Sequence, residues 1–441
     1  MELPRSVFAC LKRIEDAGFP CYAVGGCVRD WLLGKACSDY DLCTAATPAQ
    51  IKTLFSDRDL VLAGEKHGTV GIITDSGVVE ITTFRTEGGY VDNRHPDWVR
   101  FVQRIEDDLS RRDFTVNAMA WSPFRGLCDP FRGQLDLKNR VLRCVGDPET
   151  RFREDALRIL RGVRFAVRFG LTPDAATLSA MNTLSPLMEH LARERVYSEL
   201  SKLLTGITAD QLLSFRVPVT QPIPELAATV GFDQHSPHHA YDVYTHTAHV
   251  TASVPGKPAL RWAALLHDIG KVPTFRADEN GRGHFYGHAE KSAEMADAIL
   301  LRLKAPTALR QTVTELIRMH MTPLPQEKKA LRRWVGRYGR EMLEDLLCLQ
   351  EADMLGKGVD DPMDLAQFPR IRSLLAEIEV ENSALTVRDL AVNGGDLMAL
   401  GYQGKQIGAA LEQLLELVLD ETIPNEKQAL LAALTENHKN Q

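Results

Sequence analysis

Two rhythms of apolar and polar residues divide the chain. Over residues 1–150 short apolar runs alternate with turn residues, which predicts mixed helix and strand. Residues 5–17 follow an amphipathic helical pattern, and "CYAVGG" ends a short apolar strand in a glycine turn. "VRDWLLG" reads as a helix stopped by Gly34. "SDYDLCT" alternates as a strand, and "GTVGIIT" with "VVEITTF" predicts a hairpin around "DSG". "RTEGGYVDNRHPDW" is Gly-rich and polar and predicts a mobile loop. From residue 151 onward the helical period takes over, and "VPVTQPIPEL" (217–226) reads as a proline-marked linker or turn. Residues 240–355 predict several helices, and 384–441 carry "LAVNGGDLMALG" and then an amphipathic helix pair. The expected divisions are 1–150, a mixed α/β head; 151–225, a helical neck; 226–365, a helical body; and 366–441, a helical tail.

Composition narrows the class. The 441 residues suffice for two to four domains, and the 44% apolar fraction is ordinary for a globular chain. No apolar run approaches a bilayer span, and the charged start lacks a signal-peptide core, so the expected location is cytoplasmic, with no membrane partner. The eight cysteines (10, 21, 27, 37, 43, 128, 144 and 348) form no CxxC pair, which favours reduced, mostly buried thiols. A net charge of −7 argues against a globally basic coat, so any nucleic-acid or nucleotide binding must come from local basic patches.

The first such patch lies in "AVGGCVRDWLLGKACSDYDLCT". On a strand, Asp39 and Asp41 would project from one face, and such a pair can hold Mg²⁺, which keeps waters and substrate phosphates among its ligands. The Gly25–Gly26 turn lets backbone N–H groups approach a triphosphate, and Arg29 in the following helix can add a bidentate phosphate contact. A lone DxD is common surface decoration and a Gly-Gly turn is usually only a turn. Their order and spacing together carry the expectation.

"RRDFTVNA" places Arg112 to reach a phosphate, and Asp113 and Asn117 to share a helix face and bind a ribose hydroxyl; the alternative is a capped helix with solvated charges. Residues 151–168 then carry six arginines against two acids, Glu154 and Asp155. Helical spacing aligns Asp155, Arg158 and Arg161 in one stripe, continued by Arg164 and Arg168. An all-arginine stripe suits planar, bidentate recognition. An Asp155–Arg158 pair can accept from an exocyclic amine and donate to the neighbouring ring acceptor. Cytosine and adenine share that pattern; uracil and guanine reverse it.

The run "VGGCVRDWLLG", "SDYDL", "VEITTFR", "RRDFTVNAMA", "EDALRILRGVRFA" and "RERVYSEL" resembles the class II tRNA nucleotidyltransferase and bacterial poly(A) polymerase family, motif by motif over residues 20–205. The resemblance implies an α+β fold. A small polymerase-beta-like head of mixed sheet and helices would precede an all-helical neck, body and tail. It implies Asp39 and Asp41 as catalytic Mg²⁺ ligands and Gly26, Arg29, Arg112, Asp155, Arg158, Arg161 and Arg164 as nucleotide contacts. Glu80 is implied as a third carboxylate, Arg195 and Glu199 as braces of the neck, and segment 85–98 as a flexible loop serving the terminal A step.

The helical half carries His246, the His267–Asp268 doublet in "ALLHDIGK", His288, His320 and Asp353. Imidazoles and carboxylates on several helices can converge on one or two metals in a bundle core. The doublet resembles the HD phosphohydrolase superfamily. His246, His267, Asp268 and Asp353 fit its skeleton, and His288 and His320 fit the added ligands of its binuclear members. A decayed site would have lost some of the six positions. The resemblance implies a transition metal and chemistry on terminal or 2′,3′-cyclic phosphates of RNA ends.

The expected function is template-independent building or repair of the CCA end of tRNA from CTP and ATP, releasing pyrophosphate. The near rivals are an A-adding-only tRNA enzyme and a poly(A) polymerase. The rival from another class is an HD phosphohydrolase with a non-catalytic RNA-binding head. The sequence carries no sign of an oligomeric state.

Overall fold

Cys21–Val24 are buried throughout and form β1, an inner strand covered on both faces. The computed structural model describes residues 1–37, 39–90, 96–236, 239–358, 365–380 and 384–439. They fall into two units, residues 1–227 with 302–304 and residues 228–301 with 305–441.

In the first unit, β1 joins β2 (Asp41–Thr44), β3 (Leu60–Val61), β4 (Thr69–Thr74), β5 (Gly77–Thr83), β8 (Ala120–Ser122) and β9 (Gly126–Cys128). They make one seven-stranded sheet in the order β3-β4-β5-β2-β1-β8-β9. Only the β2–β5 pairing is parallel, so the sheet is mixed. The register sets Val24 opposite Asp41 and Leu42 opposite Ile81. This puts Asp41 where β1 ends and beside Glu80 of β5. Tyr22, Val24, Phe84, Ile105, Leu109 and Ala120 close one core cluster around these strands. Each large apolar side chain there contributes roughly 1.5–3 kcal/mol by burial.

Helix α1 (Arg5–Asp16) buries Val7, Cys10, Leu11 and Ile14, as its amphipathic pattern predicts. Helix α2 (Gly26–Leu32) starts directly after the turn at Gly25. The strand expected over "SDYDLCT" begins only at Asp41, and Asp39 precedes it as exposed loop. The two carboxylates therefore do not share a strand face by alternation. The loop expected over 85–98 is in part a hairpin, β6 (Arg85–Tyr90) against β7 (Pro96–Phe101); residues 91–95 lie outside the described residues. The linker expected at 217–226 is built from the short helices Arg216–Thr220 and Pro224–Ala227.

The arginine-rich stretch is two helices. The first, Pro148–Glu154, is capped by Asp147, whose side chain accepts from the Thr150 backbone N–H. It stops at Asp155, which is extended at φ −143 and ψ 102. The second, Leu157–Phe169, ends at Gly170 in the left-handed region. It buries Leu157, Ile159, Leu160, Val163, Phe165 and Ala166 and packs on helix Arg193–Leu204.

In the second unit, helices Val243–Ser253, Pro258–Leu266, Thr307–Met319 and Arg340–Leu355 pack together around a fully buried Trp262. Helices Gly394–Ala399, Lys405–Leu419 and Lys427–Lys439 close a second apolar cluster on Leu397, Leu414 and Leu430. All eight cysteines are free thiols. Among the described residues no helix is long and apolar enough to cross a membrane.

Candidate active site and metal centre

Gly25 sits between β1 and α2 with φ +72, and a Cβ there would stand 2.9 Å from Nη1 of Arg112. The backbone angle is what requires glycine, since the arginine tip can give way. Arg112 is held by Asp108 at 3.2 Å, and Asp108 also accepts from Nε of Arg111 at 3.0 Å and from the Arg85 backbone N–H at 3.2 Å. Asp108 is fully buried. Burial pushes its carboxyl up, but the Arg111 and Arg112 charges outweigh that and hold it below the usual range. Asp108 was missed in the sequence. Its signal was the acid three and four residues before the arginine doublet.

Asp41 faces the same turn. Lost hydration raises its carboxyl, the Asp39 and Glu80 charges raise it further, and Arg112 opposes them. Asp41 thus feels like-signed charge from two carboxylates beside a glycine turn. Residues Asp39, Asp41 and Glu80 fit Mg²⁺ in donor type, all being carboxylate oxygens.

A continuous chain of contacts crosses the site. Arg161 donates from Nε and Nη2 to Oδ2 of Asp113 at 3.0 and 2.7 Å. Asn117 donates from Nδ2 to Oδ1 of Asp113 at 3.1 Å, and Arg29 donates to Oδ1 of Asn117 at 2.7 Å. Asp113 and Asn117 are gathered by a short 3-10 turn (Thr115–Asn117), not by a helix face. Burial pushes the Asp113 carboxyl up, but the Arg161 charge and the hydrogen bonds from Arg161 and Asn117 hold it at about 2. Arg29 is buried, and that desolvation lowers its pKa despite Asp30 at 2.8 Å.

Asp155 and Arg158 are not each other's side-chain partners. Asp155 pairs with Arg195 at 3.1 Å, and Arg158 pairs with Glu154 at 2.6 Å and donates to the Arg111 carbonyl at 3.1 Å. Arg164 is bound by Glu199 at 2.6 Å and lies over the Phe165 ring.

Gly25, Gly26, Arg29, Asp41, Arg112, Asp113, Asn117, Asp155, Arg158 and Arg161 line one cleft of about 370 Å³, together with Arg111, Phe165 and Arg195. Asp39 and Arg164 are not part of that lining. A larger hollow of about 540 Å³, against α1 and the β4–β5 turn, shares no residue with it.

The second unit gathers the histidine–aspartate set. Metal-ligating atoms of His246, His267, Asp268 and Asp353 lie within 4.8 Å of one another, and so do those of Asp268, His288 and His320. Asp268 belongs to both groups. His267, His288 and His320 each have Nδ1 at 2.6–2.8 Å from the carbonyl three residues back. Donation from Nδ1 leaves the Nε2 lone pairs for the centre, which is how metal-bound histidines are oriented. The Nε2 of His288 is buried with no hydrogen-bond partner. Burial pushes His267 down, but Asp268 and Asp353 outweigh it and lift the ring to about 10. A buried cluster of this donor set fits one or two transition metals. Lys271, 2.7 Å from Asp268, was not foreseen as part of it.

Family models agree with this layout. One for the poly(A) polymerase head domain matches residues 21–143, one for a probable RNA-binding site of that polymerase matches 170–214, and an HD-domain model matches 238–356. A CCA-adding enzyme of Levilactobacillus brevis is 36% identical, covering 97% of this chain and 96% of that protein. The crystal structure of a Bacillus stearothermophilus CCA-adding enzyme in complex with CTP covers 100% of this chain and 99% of that one, at TM-score 0.71 and 26% identity. A Thermotoga maritima CCA-adding enzyme complexed with tRNA shares the fold at TM-score 0.58 and 19% identity, covering 98% of this chain and 94% of that one. A likeness that runs nearly end to end, at 36% identity in the curated relative, shows that the chain belongs to the CCA-adding enzyme family of nucleotidyltransferases.

Proposed function

We propose that the protein adds and repairs the 3′-terminal CCA of tRNA, using CTP and ATP without a nucleic-acid template. The observation that carries this is the single cleft in which the Gly25 turn, Asp41, Arg112 and the Asp155–Arg161 segment meet. Family membership and relatives solved with CTP and with tRNA support it.

The 3′-hydroxyl oxygen of the tRNA attacks the α-phosphorus of the nucleotide. The bond from that phosphorus to the β-phosphate bridging oxygen breaks, and pyrophosphate leaves. The Gly25–Gly26 turn and Arg112 hold the triphosphate, and Arg29 adds charge from the buried side. A carboxylate of the Asp39–Asp41 pair takes the hydroxyl proton. Mg²⁺ bound by this pair, with Glu80 beside it, would neutralise charge on the phosphates. Asp155, held by Arg195, and Arg158, held by Glu154, present an acceptor and a donor that suit cytosine and adenine. The proposed divisions are the head at 1–150, the neck at 151–225, the HD body at 226–365 and the tail at 366–441. The free thiols support a cytoplasmic setting.

A second activity is favoured by the buried His–Asp cluster. We infer a metal-dependent phosphohydrolase in the HD body that clears terminal or 2′,3′-cyclic phosphates from RNA ends before nucleotide addition.

The test offers transcripts ending before CCA, after C and after CC, each with single nucleotides. Extension of all three to CCA is the expected result. Extension of the CC transcript alone, or runs of A, would replace the reading by an A-adding enzyme or a poly(A) polymerase.

A further inference from the structure

The arginines of residues 151–168 are almost all neutralised within the protein. Arg151 and Arg158 pair with Glu154, Arg153 with Glu149, Arg161 with Asp113, and Arg164 with Glu199. Arg168, the last of the stripe, has no carboxylate partner among the described residues, and neither does Lys35. Both are exposed. They converge on one ring: Lys35 Nζ lies 5.1 Å and the Arg168 guanidinium 5.3 Å from the Phe169 centroid, with Arg29 at 4.1 Å. A cation over a ring face is attracted to it, but three cations over one ring also repel one another. The Arg168 charge is felt at Arg29, whose pKa it helps to lower.

This cluster lies just outside the nucleotide cleft. Arg29 and Phe165 line the cleft, whereas Phe169, Lys35 and Arg168 do not. Phe169 sits one helical turn beyond Phe165, with ring centroids 6.0 Å apart. Lys35 begins the short segment that leads to Asp39. An anion held here would border both the nucleotide and the carboxylates without occupying the triphosphate turn. The chemistry that meets these conditions is a phosphodiester of a second polyanion. We propose that Lys35 and Arg168, with Phe169 as a shared wall, grip the backbone phosphate of the acceptor RNA strand next to its 3′-terminal nucleotide. They are positioning residues that set the terminal hydroxyl against the α-phosphate. The inference rests on the nucleotide-addition reading above.

The experiment uses the full chain, a tRNA transcript ending before CCA, and CTP. Lys35→Ala, Arg168→Ala and the double variant are compared with wild type for the KM of each substrate, kcat, and tRNA affinity at several salt concentrations. The expected result is a rise of about tenfold in tRNA KM and Kd for the double variant, with CTP KM unchanged. The salt dependence should become shallower by about 0.7 for each cation removed, as expected for single-stranded phosphate contacts. Arg168→Lys should keep the wild-type slope. A raised CTP KM with unchanged tRNA affinity would overturn the proposal in favour of a triphosphate contact. Unchanged constants with lowered thermal stability would reduce the pair to ring packing. Failure of the wild type to incorporate C would instead remove the underlying reading, a result separable from either of these.

Discussion

Arg161 grips Asp113 with two N–H groups at 3.0 and 2.7 Å, and through Asn117 that grip reaches Arg29 beside the phosphate turn. The helix proposed to choose the base and the turn proposed to hold the triphosphate are thus tied by side chains, across about 130 residues of chain. The tie explains why two residues of ribose-binding type are buried and already partnered. It gives them a structural duty as well as any contact with substrate.

Replacing Asp113 with Asn should cost about 2 kcal/mol, because the partly exposed Arg161 then loses its buried counter-charge. The same variant should raise the KM for CTP and ATP together, since both ends of the tie loosen. Urea unfolding and steady-state kinetics on Asp113→Asn check this. An unchanged midpoint would mean the pair is no brace.

The same pair dictates an acid limb. The Asp113 carboxyl is held at about 2 in the fold against an ordinary 3.8. A depressed carboxylate contributes stability that is complete above pH 3.8 and is lost as the pH falls towards 2. At about 1.4 kcal/mol per pH unit the gap again corresponds to about 2 kcal/mol. Wild type and Asp113→Asn should therefore converge in stability between pH 4 and pH 2, to roughly the extent that they differ at neutral pH. Denaturant titrations across that range show whether they do.

Asp39→Asn and Asp41→Asn should each lower nucleotide incorporation by about a thousandfold or more while leaving the thermal transition in place. Asn matches Asp in size and shape, so neither substitution opens a cavity. Single-turnover CTP incorporation alongside a melting curve separates lost chemistry from lost fold.

How far these residues were legible differs by cause. The glycine turn, β1, α1 and the β4–β5 hairpin follow from local periodicity and turn chemistry, which neighbours in space do not override. The stripe from Asp155 to Arg168 is not one helix. Asp155 ends the first helix, and its side chain accepts from the Leu157 backbone N–H at the start of the second, a capping signal easily lost among the flanking arginines. The chain turns there with no Gly or Pro, and the Arg195 contact comes from a helix 40 residues on. The expected Asp155–Arg158 pair dissolved for the same reason. Partner choice among six arginines depends on Glu154, Arg195 and Asp113, and spacing alone does not rank them. The His–Asp set was readable because adjacent His and Asp at the end of an apolar helix is a rare local signal, whereas Lys271 joins it only through its contact with Asp268 in the fold.

Base choice should fail at Asp155 before catalysis does. Asp155→Ala removes the acceptor for an exocyclic amine, so incorporation of UTP or GTP should rise by at least tenfold relative to CTP. Arg195→Ala should do the same more weakly, because Asp155 loses the guanidinium that holds it 3.1 Å away. Competition assays with all four nucleotides read this directly. A variant that still excluded UTP and GTP would move base choice elsewhere in the cleft.

Asp268 belongs to both groups of metal-ligating side chains, and His320 to only one of them. This asymmetry gives the HD body a graded response. Asp268→Asn keeps the volume and one carbonyl oxygen but removes the charge that both groups share, so metal content should fall towards zero. His320→Ala leaves His246, His267, Asp268 and Asp353 intact, so part of the metal should remain. His320 is almost fully buried, and its truncation also opens space beside the His267 and His288 rings. A moderate loss of stability should therefore accompany it, of about 1–3 kcal/mol. Elemental analysis of the purified variants gives metal per chain, and melting curves give the stability. Equal metal loss in both variants would show a single mononuclear site, and a wild type that also carries no metal would show that the cluster holds protons instead. CCA addition by the head should survive both substitutions, because no residue of the nucleotide cleft is altered.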